Sequence, residues 1–227
     1  MKRKAAKNVS KVKLAKNLGP RFLQAFVFAA EKHKGQTRKA STIPYVAHLM
    51  GVASLVLEAG GDEDLAIAAL LHDVVEDCGG VPMLKEVRRR FGGRVAKVVD
   101  GCTDSYAEPK APWRERKEKY IARLKEEDAG TRLVSAADKL NNVRSILSDY
   151  RAIGESIWSR FSGGRAGTLW YYRTLRDEFL RHKANRITRD LDLAVRELES
   201  LTAEDMSVRD TTKQRTTAGK TADPVES

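Results

Sequence analysis

The chain has 227 residues with 41% hydrophobic content, enough for one domain with a real core and too little for two catalytic domains of similar size. No apolar run reaches 18 residues and none follows the basic N-terminus, so neither a membrane-spanning helix nor a secretory signal is expected; Cys78 and Cys102 make neither a disulfide framework nor a zinc spacing, and the expected compartment is the cytoplasm. Of the formal net charge of +11, seven charges sit on residues 1–16 without an acid, and +5 remains on 17–202, an excess that suits an anionic substrate.

Helical spacing of apolar residues dominates, and strand alternation is almost absent. Residues 1–18 read as a flexible basic arm, with no aromatic to stack on bases and so no expected nucleic-acid partner. Pro20 opens a helix over 20–34, carried by Phe22, Leu23, Phe26, Val27 and Ala30. A polar loop over 35–44 leads to a second helix over 45–58. Asp62 caps a third over 63–77, stopped by Gly79 and Gly80. Short helices over 82–91 and 94–100 follow. Pro112 begins a charged helix to 127, and Leu133, Ala136, Ala137, Leu140, Val143 and Leu147 mark another over 132–150. Two more are expected over 168–182 and 186–201. The stretch 203–227 has no aromatic and reads as a disordered tail. The fold class is all-α, one helical domain over 19–202.

The densest chemistry is Leu71-His72-Asp73-Val74-Val75-Glu76-Asp77. On a continuous helix the i,i+3 and i,i+4 spacings place its three acids and one imidazole in one sector. So many acids close together require a cation or a proton, and imidazole with carboxylate suits Mn, Fe, Zn or Ni more than calcium. His48, among Val46, Leu49, Val52 and Ala53, and Asp138, within Leu133-Val134-Ser135-Ala136-Ala137-Asp138-Lys139-Leu140, are polar intrusions into core stripes. Taken singly, His48 reads as a hydrogen-bonded core histidine and Asp138 as the partner of Lys139 or Arg144.

Together, His48, His72-Asp73 and Asp138 resemble the four-ligand pattern of HD-domain metal-dependent phosphohydrolases. The blocks Ala29-Ala30-Glu31-Lys32-His33-Lys34-Gly35-Gln36-Thr37-Arg38-Lys39, Pro44-Tyr45-Val46-Ala47-His48, Phe91-Gly92, Val99-Asp100-Gly101-Cys102-Thr103 and Ala137-Asp138-Lys139-Leu140-Asn141-Asn142-Val143-Arg144 are similar to the hydrolase domain of RelA/SpoT-type alarmone enzymes and their stand-alone small relatives. The resemblance covers roughly residues 20–150. It implies His48, His72, Asp73 and Asp138 as ligands of Mn²⁺, with another divalent metal as the alternative. It implies Glu76 and Asp77 as the acidic pair assisting the metal-activated water. Arg38, Lys39 and Asn142 match substrate-side positions, and a guanidinium suits a bidentate grip on phosphate. Lys110, Arg116 and Lys117 resemble the corresponding stretch of metazoan stand-alone hydrolases, although a charged helical run usually faces solvent. Arg144 reads equally as a phosphate holder or as a partner of Asp138 or Asp77. Tyr171 reads as a nucleoside-pocket wall or as core. Asp104 stands where larger family members have lysine, which leaves guanine and adenine both open.

The function this implies is removal of the 3′-pyrophosphate from guanosine or adenosine tetra- or pentaphosphate. The implied setting is a nucleotide polyphosphate substrate and functional pairing with an alarmone synthetase or toxin, with homo-oligomerisation left open. The alternatives are another HD phosphohydrolase activity, a nucleotidase or an NADPH 2′-phosphatase, and a non-catalytic nucleotide- or RNA-binding regulator.

Overall fold

A computed structural model describes residues 18–106 and 109–218, with side chains through residue 203. The described residues form ten α-helices: α1 Pro20–Lys32, α2 Val46–Glu58, α3 Glu63–Leu71, α4 Val74–Cys78, α5 Gly80–Phe91, α6 Gly93–Cys102, α7 Trp113–Leu124, α8 Ala129–Ile153, α9 Gly164–Leu180 and α10 Arg186–Ala218. A 3-10 helix, Gly154–Arg160, links α8 to α9, and no named strand occurs among the described residues. None of the described helices is long and apolar enough to cross a membrane.

The core is organised around α3. Every residue from Leu65 to Leu71 is buried, so this helix is apolar all round, the pattern of a helix enclosed by others. It packs against α1, α2, α6 and α8. Asp62 caps it by accepting from the Leu65 N–H at 3.1 Å, and Asp128 does the same for α8 through the Thr131 N–H at 2.9 Å. In α8, Val134, Ala136, Ala137, Leu140, Val143 and Leu147 are buried, and α10 lies along this helix.

Three features depart from the sequence reading. The helix expected over 63–77 is broken: Leu71 ends α3, His72 and Asp73 turn, and Val74 restarts a short α4. The 3-10 helix was not expected. Helix α10 continues to Ala218 instead of ending at 201, because no glycine or proline interrupts 203–218; residues 219–227 of the expected disordered tail lie outside the described residues. So does the basic arm read over 1–18, apart from Leu18.

Candidate active site

The break between α3 and α4 places the donor groups. Successive residues of a straight helix point about 100° apart, so adjacent side chains cannot share one target. At the turn they do: Asp73 Oδ2 lies 2.9 Å from His72 Nε2 and 3.6 Å from His48 Nε2 on α2. Helix α8 brings Asp138, whose Oδ1 lies 3.2 Å from His48 Nε2 and 3.6 Å from His72 Nε2. His48, His72 and Asp138 are all buried and present donor atoms within 4.8 Å of one another. Asp73 joins them from the imidazole side. Glu76 and Asp77 lie beyond the turn on α4, so the sector expected on one continuous helix is divided between the turn and α4, and one cavity wall still gathers Asp73, Glu76 and Asp77.

The chemistry of these donors fits a divalent metal. His72 Nδ1 donates to the Ala69 carbonyl at 2.8 Å, and His48 Nδ1 is bonded to Asn141 Oδ1 at 2.7 Å. Both protons are therefore held on Nδ1, and both Nε2 lone pairs face carboxylate oxygens. Buried His72 Nε2 makes no well-directed hydrogen bond, although Asp73 Oδ2 stands 2.9 Å away. Lone pairs turned on anions require a cation between them, or else a proton. Burial pulls the His72 pKa down, but Asp73 and Asp138 outweigh it and raise it well above the ordinary histidine value. Burial likewise opposes ionisation of Asp138, yet Lys139 and the two histidines hold its pKa well below the usual range.

A supporting layer sits behind the donors. The Tyr45 hydroxyl donates to Asp73 Oδ2 at 2.6 Å, and burial, then the Asp73 charge, push its pKa up, so it remains a donor. Lys139 Nζ pairs with Asp138 Oδ2 at 2.5 Å. The ion-pair reading of Asp138 therefore holds alongside its place among the donors. The Asn142 amide donates to Asp138 Oδ1 at 2.6 Å and accepts from Arg38 at 3.0 Å. Gly51 makes room for Asn141: a Cβ there would stand 2.5 Å from Asn141 Nδ2.

Two adjoining cavities open from these groups. The inner one, about 170 Å³, is lined by Asp73, Asp138, Glu76, Asp77 and Cys102 among others. The outer one, about 420 Å³, adds Arg38, Lys39, Lys110, Arg116 and Arg160. Tyr45, Glu76, Asp104, Lys117, Lys139, Asn142 and Tyr171 belong to both walls. Glu76 accepts from Lys110 at 2.8 Å and from the Asp104 N–H at 3.1 Å. Asp77 accepts from Gln36 at 2.8 Å; its partial withdrawal from solvent, then the Asp73 charge, raise its pKa. The cationic wall formed by Arg38, Lys39 and Lys110 rests on irregular backbone between helices, whereas His48 and Asp138 sit within α2 and α8.

Several expectations are revised. Arg144 pairs with neither Asp138 nor Asp77; it is exposed and binds Asp190 of α10 at 3.1 Å, outside both cavities. Arg116 and Lys117 are turned inward instead of toward solvent, and both pair with Asp104, whose side chain is 7% exposed. Burial, then Lys139, lower the Lys117 pKa. Tyr171 is both core and wall: it is buried, its hydroxyl has no partner, and Lys117 Nζ stands 5.1 Å from its ring centroid. Tyr45, Gln36, Asn141 and Lys139 were not singled out from the sequence as site residues. All four stand inside the blocks that carry the resemblance, and Lys139 is expected as a partner of Asp138; only the packing of α2 on α8 reveals the role of Asn141.

The HD-domain family profile matches residues 25–169, and the chain belongs to that family. Among its relatives is the mouse protein named guanosine-3′,5′-bis(diphosphate) 3′-pyrophosphohydrolase MESH1, 39% identical over 127 residues that span 55% of this chain and 68% of the mouse one. An Aquifex aeolicus (strain VF5) protein named guanosine-3′,5′-bis(diphosphate) 3′-pyrophosphohydrolase is 39% identical over 124 residues, 54% of this chain and 17% of that one. A solved structure of a metazoan ortholog of SpoT, reported to hydrolyse ppGpp, aligns with a TM-score of 0.66 at 27% identity, covering 81% of this chain and 98% of that one.

Proposed function

We propose that the chain is a metal-dependent pyrophosphohydrolase that removes the 3′-pyrophosphate from guanosine or adenosine tetra- or pentaphosphate. The observation that carries this reading is the junction of a metal-fitting donor cluster with a cavity lined by Arg38, Lys39, Lys110, Arg116, Lys117, Lys139 and Arg160. The names of the relatives point to the same chemistry. His48, His72, Asp73 and Asp138 would hold the ion, with Mn²⁺ as the proposed metal. A divalent ion supplies Lewis acidity toward water and a phosphoryl oxygen.

The chain's own residues perform the rest. Water attacks the phosphorus attached to the ribose 3′-oxygen, the bond from that phosphorus to the 3′-oxygen breaks, and pyrophosphate leaves with the 5′-nucleotide bearing a free 3′-hydroxyl. Glu76 is tied by Lys110 and the Asp104 N–H, and Asp77 accepts from Gln36. This acidic pair on the inner cavity wall would orient the water, take its proton and pass it to the departing 3′-oxygen. Lys139, held as an ammonium by Asp138 against the cost of its burial, and Lys117 face the phosphates and stabilise charge developing on them. The test offers purified protein with Mn²⁺ guanosine and adenosine 3′-pyrophosphates, NADPH and dNTPs. Pyrophosphate release from the first pair, abolished by chelation, is expected. Turnover of NADPH or dNTPs alone would move the chain to another HD activity.

A further inference from the structure

One face of α8 runs the length of the outer cavity. Asp138, Asn142, Ser145 and Asp149 fall at i, i+4, i+7 and i+11 on that face, and the last three line the cavity. At 1.5 Å per residue, Asp149 sits about 16 Å along the axis from Asp138, a span suited to a nucleotide whose 3′-phosphates meet the donor cluster. At this far end Asp149 Oδ2 accepts from Arg160 of the 3-10 helix at 3.2 Å. Both side chains keep solvent access, 45% and 25% exposed, so a ligand can reach them. Beside them stand the Phe161 ring, with Lys39 Nζ 5.6 Å from its centroid, and buried Ile146. Cations alone would suit a second phosphate group, but the Asp149 carboxylate repels one. A flat heterocycle with donors on its edge satisfies aromatic face, carboxylate and guanidinium together.

We propose that the Asp149–Arg160 pair reads the purine base and selects guanine over adenine; this deepens the hydrolase reading of the same cavity and rests on it. An ionised carboxylate only accepts hydrogen bonds. Guanine offers it two adjacent donors, N1–H and the 2-amino group, with the O6 acceptor next in the row for Arg160. Adenine turns the N1 lone pair on the carboxylate and offers one amino donor.

The experiment uses the full chain with Mn²⁺ and compares kcat/KM for guanosine and adenosine 3′-pyrophosphates in wild type and Asp149→Asn. Calorimetric binding of GDP against ADP serves as a readout independent of turnover. Wild type favours guanine in both measurements. Asp149→Asn narrows the guanine-to-adenine ratio by roughly 10- to 100-fold, the loss expected for hydrogen bonds to a charged group, with the change concentrated in KM. Equal handling of the two bases by wild type, or a ratio unmoved by the substitution, overturns the assignment while leaving the hydrolase reading intact. Turnover of neither substrate overturns both.

Discussion

Gly51→Ala tests whether the layer behind the donors sets metal affinity. A Cβ at position 51 would meet Asn141 Nδ2 at 2.5 Å, against 3.4 Å for ordinary contact. The amide must retreat by the difference, about 0.9 Å. His48 lies on the same helix as Gly51, so retreat from α2 lengthens the 2.7 Å bond between His48 Nδ1 and Asn141 Oδ1 past hydrogen-bonding range. Losing the group that fixes a ligating imidazole's tautomer costs about 10- to 100-fold in metal affinity. Alanine meanwhile raises helix propensity at that site by up to about 1 kcal/mol. That gain opposes the loss of the His48–Asn141 bond, about 1–3 kcal/mol, so the metal-free variant should lose at most about 2 kcal/mol while Mn²⁺ binding falls by the full ~10- to 100-fold measured on folded protein. Calorimetric Mn²⁺ titration and thermal unfolding of the metal-free protein read the two quantities separately. Unchanged Mn²⁺ affinity would refute the argument, as would weaker binding that merely tracks lower stability.

Asp73→Ala should abolish turnover and lower metal content by elemental analysis, since it removes a carboxylate facing both imidazoles; retained activity would remove Asp73 from the mechanism. Asp128→Ala should cost about 1 kcal/mol in urea unfolding, the usual worth of an N-cap. The Lys97 ammonium, then the Thr131 N–H, hold the Asp128 pKa down at about 2. Because the folded pKa lies below the unfolded 3.8, this stabilisation is present above about pH 4 and fades as pH falls toward 2. The gap between wild type and variant should shrink over that window, and a gap that widens in acid would contradict the sign. Gly163→Ala should drive a Cβ to 2.7 Å from the Trp113 ring, cost about 1–3 kcal/mol by overpacking and shift tryptophan fluorescence; an unperturbed spectrum would show that the ring is not held against this turn.

Much of the fold is legible in the sequence because it rests on local signals. Apolar spacing locates α1, α2 and α8, and Asp62 marks the start of α3; His48 and Asp138 read singly as core groups, and only the family resemblance joins them to His72-Asp73. The break at His72-Asp73 is hidden because Leu65–Leu71 and the i,i+4 acids also fit a continuous helix; tertiary convergence of the two donors decides against it. Arg144 fails for the complementary reason. Its partner, Asp190, comes from a helix far along the chain whose docking on α8 no local pattern encodes. Arg116 and Lys117 read as a solvated run until Asp104, on the preceding loop, turns them inward. Phe161 and Arg160 went unremarked because a short 3-10 helix leaves no periodicity to detect.

The division of the cavity between helices and irregular backbone has a consequence for change over time. His48 and Asp138 are locked into a core where a shift of one residue would rotate a donor away, so alteration there destroys the centre. Arg38, Lys39 and Lys110 ride on connecting segments that tolerate insertion and exchange. New polyphosphorylated substrates can therefore be acquired by rewriting loops around an unchanged reaction, and directed evolution of substrate scope has its natural targets in 33–45 and 103–112.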